Sequence, residues 1–162
     1  MAISRIGGTG SDNWELISSV TPTAASAAVN FTGLSPYKKL LLRCTGLSSS
    51  GAANIRLNND SGNYYDWQYL ENAYNAPEKY ATGAILTAQT SFALNIITKG
   101  FAIFSSCDNS GLKIMEQAAS DKTQLAYQAN GFYAASAIIT EVNLVTGGTF
   151  NASGTVALYG VK

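Results

Sequence analysis

The stretch Tyr37-Lys38-Lys39-Leu40-Leu41-Leu42-Arg43-Cys44-Thr45, "YKKLLLRCT", carries the pattern on which the fold depends. In an extended chain Leu40, Leu42 and Cys44 fall on one face, and Lys39 and Arg43 fall on the other. A period of two predicts a strand with one face packed on a core and the other towards solvent. We therefore predict a half-buried strand of an antiparallel sheet here.

Similar short runs of Val, Ile, Leu, Phe and Tyr recur along the chain, each closed by Gly, Ser, Asn or Asp. No segment keeps apolar residues at helical spacing over about twelve residues. The spacing of roughly 8–12 residues between runs is typical of an all-β sandwich or barrel. We predict about ten or eleven strands, from the runs Trp14–Val20, Ala27–Phe31, Tyr37–Thr45, Ala53–Asn58, Asn63–Leu70, Ser91–Ile97, Gly100–Ser106, Leu112–Gln117, Thr123–Gln128, Ala137–Val145 and Thr155–Val161.

Three connections are also specific enough to compare with a structure. The weakly patterned segment Glu71–Gly83 contains a proline and small residues, so we predict a long loop there. Thr98-Lys99-Gly100 is expected to be a short turn between two strands. Thr146-Gly147-Gly148 is expected to be another turn, because glycine permits a positive φ.

The first and last strands carry two further expectations. Trp14, Leu16 and Val20 should share one face of the first strand. The last strand, Thr155–Val161, is apolar on both faces, so it should either lie centrally in a sheet or face a neighbouring subunit.

The chain of 162 residues shows no linker, no internal repeat and no break in composition. We therefore predict a single sandwich domain over residues 14–162. Residues 1–13 differ, because Gly7-Gly8-Thr9-Gly10-Ser11 is flexible while Ile3 and Ile6 are apolar. This segment is either an arm that docks on a partner or a frayed terminus.

Charged residues make up only 12% of the chain, and the net charge is zero. This composition predicts a surface that partners cover in part, or one built from Ser, Thr, Asn and Gly. Nucleic acid is not an expected partner, because its binding depends on clustered positive charge. No apolar run reaches the roughly 18 residues of a membrane-spanning helix, so membrane insertion is not expected either.

The N-terminus lacks the apolar core of a signal peptide, so we expect the protein to be made and folded in a cytoplasm. In that compartment the two cysteines, Cys44 and Cys107, should be buried free thiols rather than a disulfide.

Residues able to support catalysis are few. The sequence has no histidine, which removes the usual general base near neutral pH and most zinc sites. Asn58, Asp60 and Asp66 superficially resemble a calcium loop, but the spacing is wrong for one and a hairpin turn at Asp60-Ser61-Gly62 explains them better. We expect no catalytic residues, no metal and no cofactor.

Aromatic residues are concentrated in one segment of the chain. In a strand, Tyr65, Trp67 and Tyr69 would share a face, opposite Tyr64 and Asp66. Such a row can be sheet core, a subunit interface or a platform for stacking sugars. The candidate glycan or interface aromatics are Tyr64, Tyr65, Trp67, Tyr69, Tyr74 and Tyr80.

Three segments together are similar to small all-β virion proteins of tailed bacteriophages. They are "WELISSVTPTAASAAVNFTGL", "YKKLLLRCTGLSSSGAANIRLNNDSGNYY" and "VNLVTGGTFNASGTVALYGVK". The chain resembles this family in its "NFTGL" and "YKKLLL" segments and in closing on "SGTVALYG". The resemblance covers both ends of the chain and leaves Glu71–Ser136 uncovered.

The resemblance implies an antiparallel β-sandwich of the jelly-roll or lectin-like type. It also implies a non-enzymatic virion structural protein, as a capsid decoration, head-fibre or tail-fibre component. The implied partners are other virion proteins and further copies of the chain, most often in a trimer. The alternative is a receptor-binding tip that recognises host-surface carbohydrate on the same sandwich. A glycan-degrading enzyme is a third and weaker possibility.

Overall fold

The computed structural model describes residues 13–23, 26–73, 82–89, 91–94, 99–120 and 125–162. Over these residues the chain is all-β, and every strand pairs antiparallel with its neighbours. The strands are β1 (Glu15–Val20), β2 (Ser26–Thr32), β3 (Lys39–Thr45), β4 (Ala53–Leu57), β5 (Tyr65–Ala73), β6 (Thr82–Gln89), β7 (Phe92–Leu94), β8 (Lys99–Ser105), β9 (Lys113–Ser120), β10 (Leu125–Tyr133), β11 (Glu141–Phe150) and β12 (Thr155–Val161).

These strands form two sheets. The larger has eight strands in the order β1-β12-β3-β8-β9-β10-β5-β6, and the smaller has four in the order β2-β11-β4-β7. The first four strands alternate between the sheets, while β12 and β11 fill the spaces between them. This winding gives an antiparallel sandwich of the jelly-roll or lectin-like type, and the predicted fold class is confirmed.

The two sheets pack through one cluster of buried side chains. Leu42 and Leu158 contribute to it from the large sheet, and Ile55 contributes from the small one. Each of these side chains is at most 1% exposed. Cys44 points into the same cluster, as the alternation in β3 predicts, and both it and Cys107 are free and buried, which confirms the expected thiols.

The prediction that Trp14, Leu16 and Val20 share one face of the first strand is wrong, because Val20 packs against the core and Leu16 does not. Leu16 is 45% exposed, and Trp14 precedes β1 and is 36% exposed. The register shifts between Leu16 and Ser18, so a bulge rotates the strand and turns Ile17 inward beside Val20. A bulge of this kind cannot be predicted from the alternation of apolar and polar residues along the sequence.

The predicted loop over Glu71–Gly83 is wrong at both of its ends. The strand β5 continues to Ala73, and β6, which the sequence pattern missed, begins at Thr82. Residues 74–81 lie outside the described part of the chain. The predicted turn at Thr98–Gly100 is also partly replaced by strand, because Lys99 and Gly100 open β8 and Thr98 is not described.

The predicted turn at Thr146–Gly148 is wrong, because these residues lie within β11. The glycines allow a close approach of two chain segments rather than a reversal. A Cβ at Gly148 would collide with the Ser50 hydroxyl, and the Thr149 N–H donates to that same hydroxyl at 2.9 Å.

The last strand has the predicted bounds, and it lies between β1 and β3 with pairing on both sides. The predicted arm over residues 1–13 falls almost wholly outside the described residues. No described segment forms a helix long and apolar enough to cross a membrane.

Candidate functional site

The predicted aromatic row divides between core and surface. Tyr65 is fully buried and Trp67 is 7% exposed, so both pack inside the sandwich, whereas Tyr64 is 48% exposed. Tyr69 continues β5, but its side chain lies outside the described part, as do Tyr74 and Tyr80 altogether. A sugar or a partner can therefore reach Tyr64 but not Tyr65 or Trp67.

Two buried tyrosines hold the loop between β4 and β5. The rings of Tyr65 and Tyr133 are 4.8 Å apart between centroids. The Tyr65 hydroxyl accepts from the Leu57 N–H at 3.0 Å and donates to the Asp60 carbonyl at 3.0 Å. The Tyr133 hydroxyl donates to Asp60 Oδ2 at 2.7 Å. Burial raises the pKa of Tyr65 to about 12 and also raises the pKa of Tyr133, which the bond to Asp60 raises further.

Asp60 serves the turn that the sequence predicts. Its Oδ1 accepts the Gly62 N–H at 2.7 Å, while Oδ2 accepts the Tyr133 hydroxyl. Both carboxylate oxygens therefore have protein partners. Among the described residues, no three His, Cys, Asp or Glu side chains lie close enough together to hold a metal ion.

A shallow polar cleft lies beside this loop at one end of the sandwich. It has a volume of about 620 Å³ and is lined by Asn58, Asp60, Tyr64, Tyr133 and residues 134–137. Tyr64 meets Tyr133 edge to face, with ring centroids 6.5 Å apart and planes at 86°. Asn58 Oδ1 accepts the Thr140 N–H at 2.8 Å, so this side chain fixes the wall of the cleft. An exposed aromatic ring beside a carboxylate can stack and hydrogen-bond a small polar ligand.

Lys113 braces the same end of the molecule from inside. It is 1% exposed, and its Nζ donates to the Gly111 carbonyl at 2.7 Å and the Ala135 carbonyl at 3.4 Å. Removal from water disfavours the ammonium and lowers the pKa of Lys113. The amine thus ties the turn before β9 to the cleft-lining segment after β10.

The second candidate surface is the outer face of the eight-stranded sheet, which turns away from the core. One row of cross-strand partners on this face runs Leu16, Tyr159, Leu41 and Ile103 over β1, β12, β3 and β8. Each of these side chains is partly or largely exposed. Apolar side chains thus form a continuous row over four neighbouring strands, which is unusual on a solvent-facing sheet.

Three large apolar side chains lie in the rows on either side of this one. Phe101 of β8 is 41% exposed, Ile114 of β9 is 50% exposed and Phe132 of β10 is 39% exposed. Ile114 and Phe132 are direct cross-strand partners. The outer face therefore carries apolar groups on six of its eight strands.

Charged residues also stand on this face, among them Lys39, Lys99, Arg43 and Glu116. Arg43 of β3 is exposed and is the cross-strand partner of Phe101. Glu116 of β9 is exposed and is the partner of Ile103. A groove of about 540 Å³ beside Arg43 is lined by Leu41, Arg43, Cys44, Thr45, Lys99, Gly100, Phe101 and Ile103.

The small sheet presents a different outer face. Asn143 of β11 pairs with Asn30 of β2 and Arg56 of β4, and all three point outward. Asn143 Nδ2 donates to Asn30 Oδ1 at 2.9 Å, and Asn143 Oδ1 accepts the Asn59 N–H at 2.8 Å. Hydrogen-bonded amides therefore occupy the middle of this face, where the described part of the large sheet carries large apolar side chains.

The comparisons with known proteins add little beyond the fold. No protein-family model matches the sequence, and no curated protein sequence is significantly similar to it. The galectin LEC-6 of Caenorhabditis elegans aligns with 89% of this chain and 95% of its own, at 12% identity and a TM-score of 0.39. Arcelin-5, a lectin-like defence protein of Phaseolus vulgaris, aligns with 93% of this chain and 81% of its own, at 10% identity and a TM-score of 0.18. Both TM-scores are low, so neither similarity supports an argument about function.

Sequence reasoning found parts of both surfaces. It placed Arg43 on the outer side of β3 and the bend at Asp60, and the structure confirms both. It missed Tyr133, which is 73 residues from its partner Asp60, because no local pattern links them. It also missed that the exposed sides of β8 and β9 carry apolar residues. For β8 the uninterrupted apolar run "GFAIF" is a signal that both faces of the strand are apolar.

Proposed function

We propose that this protein is a non-enzymatic structural component of a tailed-bacteriophage virion, acting through protein–protein contacts of its outer face. The observation that carries the proposal is the apolar surface of the eight-stranded sheet, centred on Phe101 and Ile114. Soluble monomers seldom expose large continuous apolar patches, and such patches mark interaction sites. The low charged fraction of 12% fits a surface that partners cover.

The ionisable groups favour a structural role over catalysis. Burial raises the pKa of both Cys44 and Cys107 to about 12, so neither is a thiolate nucleophile at neutral pH. Asp60 already accepts two hydrogen bonds from the protein, and the bonded Tyr133 hydroxyl stays protonated. The sequence has no histidine that could supply a general base.

The virion assignment rests on the sequence resemblance of both chain ends to small phage proteins. On this proposal the protein is made in the host cytoplasm and joins other virion proteins there. Residues 1–13 are a second attachment segment, and the trimer that the resemblance implies stays a prediction.

The test is incorporation into particles. The double variant Phe101→Ser/Ile114→Ser should be lost from purified particles, measured as copies per particle by quantitative mass spectrometry. Ile138→Ser is the matched control, since Ile138 is 39% exposed but lies in the loop before β11. Equal incorporation of the wild type, the double variant and the Ile138→Ser control would contradict the proposal. Absence of the wild-type protein from particles would contradict it as well.

Binding of host-surface carbohydrate is the second candidate function. It is supported by the polar cleft, where the exposed Tyr64 ring stands beside Asp60 in a space of about 620 Å³. Tyrosine rings stack on the apolar faces of sugars, while carboxylates accept hydrogen bonds from hydroxyl groups.

A glycan array separates this candidate from the first. Tyr64→Ala should abolish any binding, whereas Tyr64→Phe, which keeps the ring, should retain it. Trp67→Ala is unsuitable for this test because Trp67 is buried in the core. An array on which the wild-type protein binds nothing would remove the glycan candidate and leave the structural one.

A further inference from the structure

We propose that the groove between β3 and β8, on the outer face of the large sheet, binds an extended acidic segment of a partner virion protein. A large apolar side chain of that segment packs on Leu41 and Ile103. Carboxylates at the second and fourth positions after it lie beside Arg43 and Lys99. The inference rests on the proposed function, which gives the outer face a protein partner, and it adds the chemistry of the segment that is bound.

The groove changes character along its length. Three pairs of cross-strand partners line it, in the order Leu41 with Ile103, Arg43 with Phe101, and Thr45 with Lys99. Successive pairs are two residues apart, which is about 6.6 Å along a strand. One end of the groove is therefore apolar, and the end about 13 Å away carries a cation and a hydroxyl.

The two cations of the groove are available to a ligand. Arg43 and Lys99 are both exposed, and within the described part of the chain neither side chain forms an ion pair or a hydrogen bond. Their cross-strand partners are uncharged, namely Ala157, Phe101, Thr45 and Ser120. A carboxylate that enters this end of the groove therefore meets positive charge on both strands.

The charges near the apolar end fix the direction of the segment. Glu116 of β9 is the cross-strand partner of Ile103, and Lys39 stands two residues before Leu41 on β3. These two charges have opposite signs, so they offer an anion no net attraction. A carboxylate is favoured only at the end that carries Arg43 and Lys99.

An extended peptide has the spacing that the groove requires. Its alternate side chains point to one face and are about 6.6 Å apart, which equals the separation of the cross-strand pairs. One apolar side chain and two carboxylates at alternate positions therefore each meet one pair. The guanidinium of Arg43 can hold a carboxylate through two parallel hydrogen bonds, and the Thr45 hydroxyl can donate to the carboxylate beside Lys99.

Other classes of ligand fit the groove less well. Two cations beside Phe101 and Ile103 do not form the extended basic surface that a nucleic-acid backbone requires. A small anionic amphiphile would leave exposed the apolar side chains outside the groove, such as Leu16 and Ile114. A protein segment covers the groove while the rest of its protein covers the surrounding face.

A pair of blocked heptapeptides tests the inference directly. One is Ser-Leu-Ser-Asp-Ser-Asp-Ser, and the other has Asn in place of both Asp residues. Each is titrated into the isotope-labelled full chain, and amide chemical shifts are followed by NMR. The acidic peptide should shift the signals of Arg43, Phe101 and Ile103 in a saturable manner. The Asn peptide should bind at least about threefold more weakly, because its amides carry no charge.

Matched lysine variants test the charged end of the groove. Lys99→Glu should weaken binding of the acidic peptide by at least about fivefold, and Lys99→Arg should retain it. Lys38→Glu is the control, since Lys38 is also exposed and changes the net charge equally but lies before β3. Circular dichroism and urea unfolding of each variant exclude loss of folding as the cause.

Four outcomes of the titrations would overturn the inference. They are no binding of the acidic peptide, equal affinity for the two peptides, an equal loss of affinity in Lys38→Glu, and shifts of the same signals when the protein is concentrated without peptide. The last outcome would assign the groove to a second copy of the chain.

Incorporation into particles separates this inference from the proposed function. Loss of Lys99→Glu from particles, together with loss of Phe101→Ser/Ile114→Ser, would support the acidic segment. Normal incorporation of Lys99→Glu while the double variant is lost would refute the acidic segment alone. Normal incorporation of both variants would refute the proposed function.

Discussion

Leu41 of β3 and Ile103 of β8 are direct cross-strand partners on the outer face of the large sheet. Their neighbours Leu40 and Phe104 point the other way and are fully buried. The same two strands therefore carry apolar side chains on both faces. One face builds the core, and the other is the surface that we propose for contact with a second protein.

The two phenylalanines of β8 should respond very differently to truncation. Phe104→Ala removes a fully buried ring and should lower the free energy of unfolding by about 3–5 kcal/mol. Phe101→Ala, on the exposed face, should cost less than about 1 kcal/mol in dilute protein. Urea unfolding at a concentration that keeps the chain monomeric measures both. Equal losses would mean that Phe101 is packed within the chain.

Loss of the Tyr133 hydroxyl should loosen the loop that shapes the cleft. Tyr133→Phe leaves Asp60 Oδ2 without its 2.7 Å bond and should cost about 1.5–3 kcal/mol, since the acceptor is charged. Tyr64→Phe is the matched control, because that ring is 48% exposed. A Tyr133→Phe protein with wild-type stability in thermal or urea unfolding would contradict the role given to this bond.

Alkaline pH should destabilise the fold through its thiols. Burial raises the pKa of Cys44 and Cys107 from 9.0 to about 12, so the folded state holds these protons more tightly than the unfolded state. Their contribution is complete below pH 9 and is lost progressively as the pH rises towards 12. By pH 10.5 the loss should reach about 2 kcal/mol per thiol.

Urea midpoints between pH 7 and 10.5 measure this dependence. Cys44→Ala/Cys107→Ala is the control and should show a shallower decline, because alanine has no proton to lose. The decline that remains comes from Tyr65 and Tyr133, because burial also raises the pKa of these tyrosines in both proteins. Lys113 affects the pH dependence in the opposite direction, because burial lowers its pKa. The free-energy cost of burying its ammonium therefore falls as the pH rises. Parallel pH profiles for the wild type and the double variant would contradict the assignment to the thiols.

Removal of the last strand should prevent folding. Residues 155–162 include β12, which pairs with β1 on one side and β3 on the other. Without it, β1 loses its only partner among the described strands, and Leu42 loses Leu158 as its cross-strand neighbour. The truncated chain should be insoluble or lack a cooperative transition in differential scanning calorimetry. A soluble truncation that melts cooperatively would show that β12 is peripheral.

The sequence predicted those parts of the fold in which the alternation is regular. β3 was placed closely because Leu40 and Leu42 alternate with outward residues. β12, which is apolar on both faces, was placed from its continuous apolar run after Gly154. β6 was missed because "TGAILTAQ" mixes small and apolar residues without a clear period. The glycines in β11 were interpreted as a turn because their close approach to Ser50 depends on a segment before β4, about 100 residues away in the chain.

The candidate surfaces were only partly predictable for the same reason. Tyr64 and Asp60 lie in one local segment, but Tyr133, which completes the cleft, comes from β10. The outer face depends on the neighbour order β12-β3-β8-β9-β10, which no local pattern encodes. Only that order brings Leu41, Ile103 and Ile114 onto one continuous surface.

Photo-cross-linking from the outer face tests the central claim most directly. A chain with benzoylphenylalanine in place of Phe101, irradiated in assembling particles, should form protein adducts in high yield. The same group in place of Ile138, on the exposed loop before β11, should form few. Adducts with a second copy or with another virion protein would identify the partner. Efficient cross-linking from position 138 and none from position 101 would contradict the claim that the outer face of the large sheet contacts a partner protein.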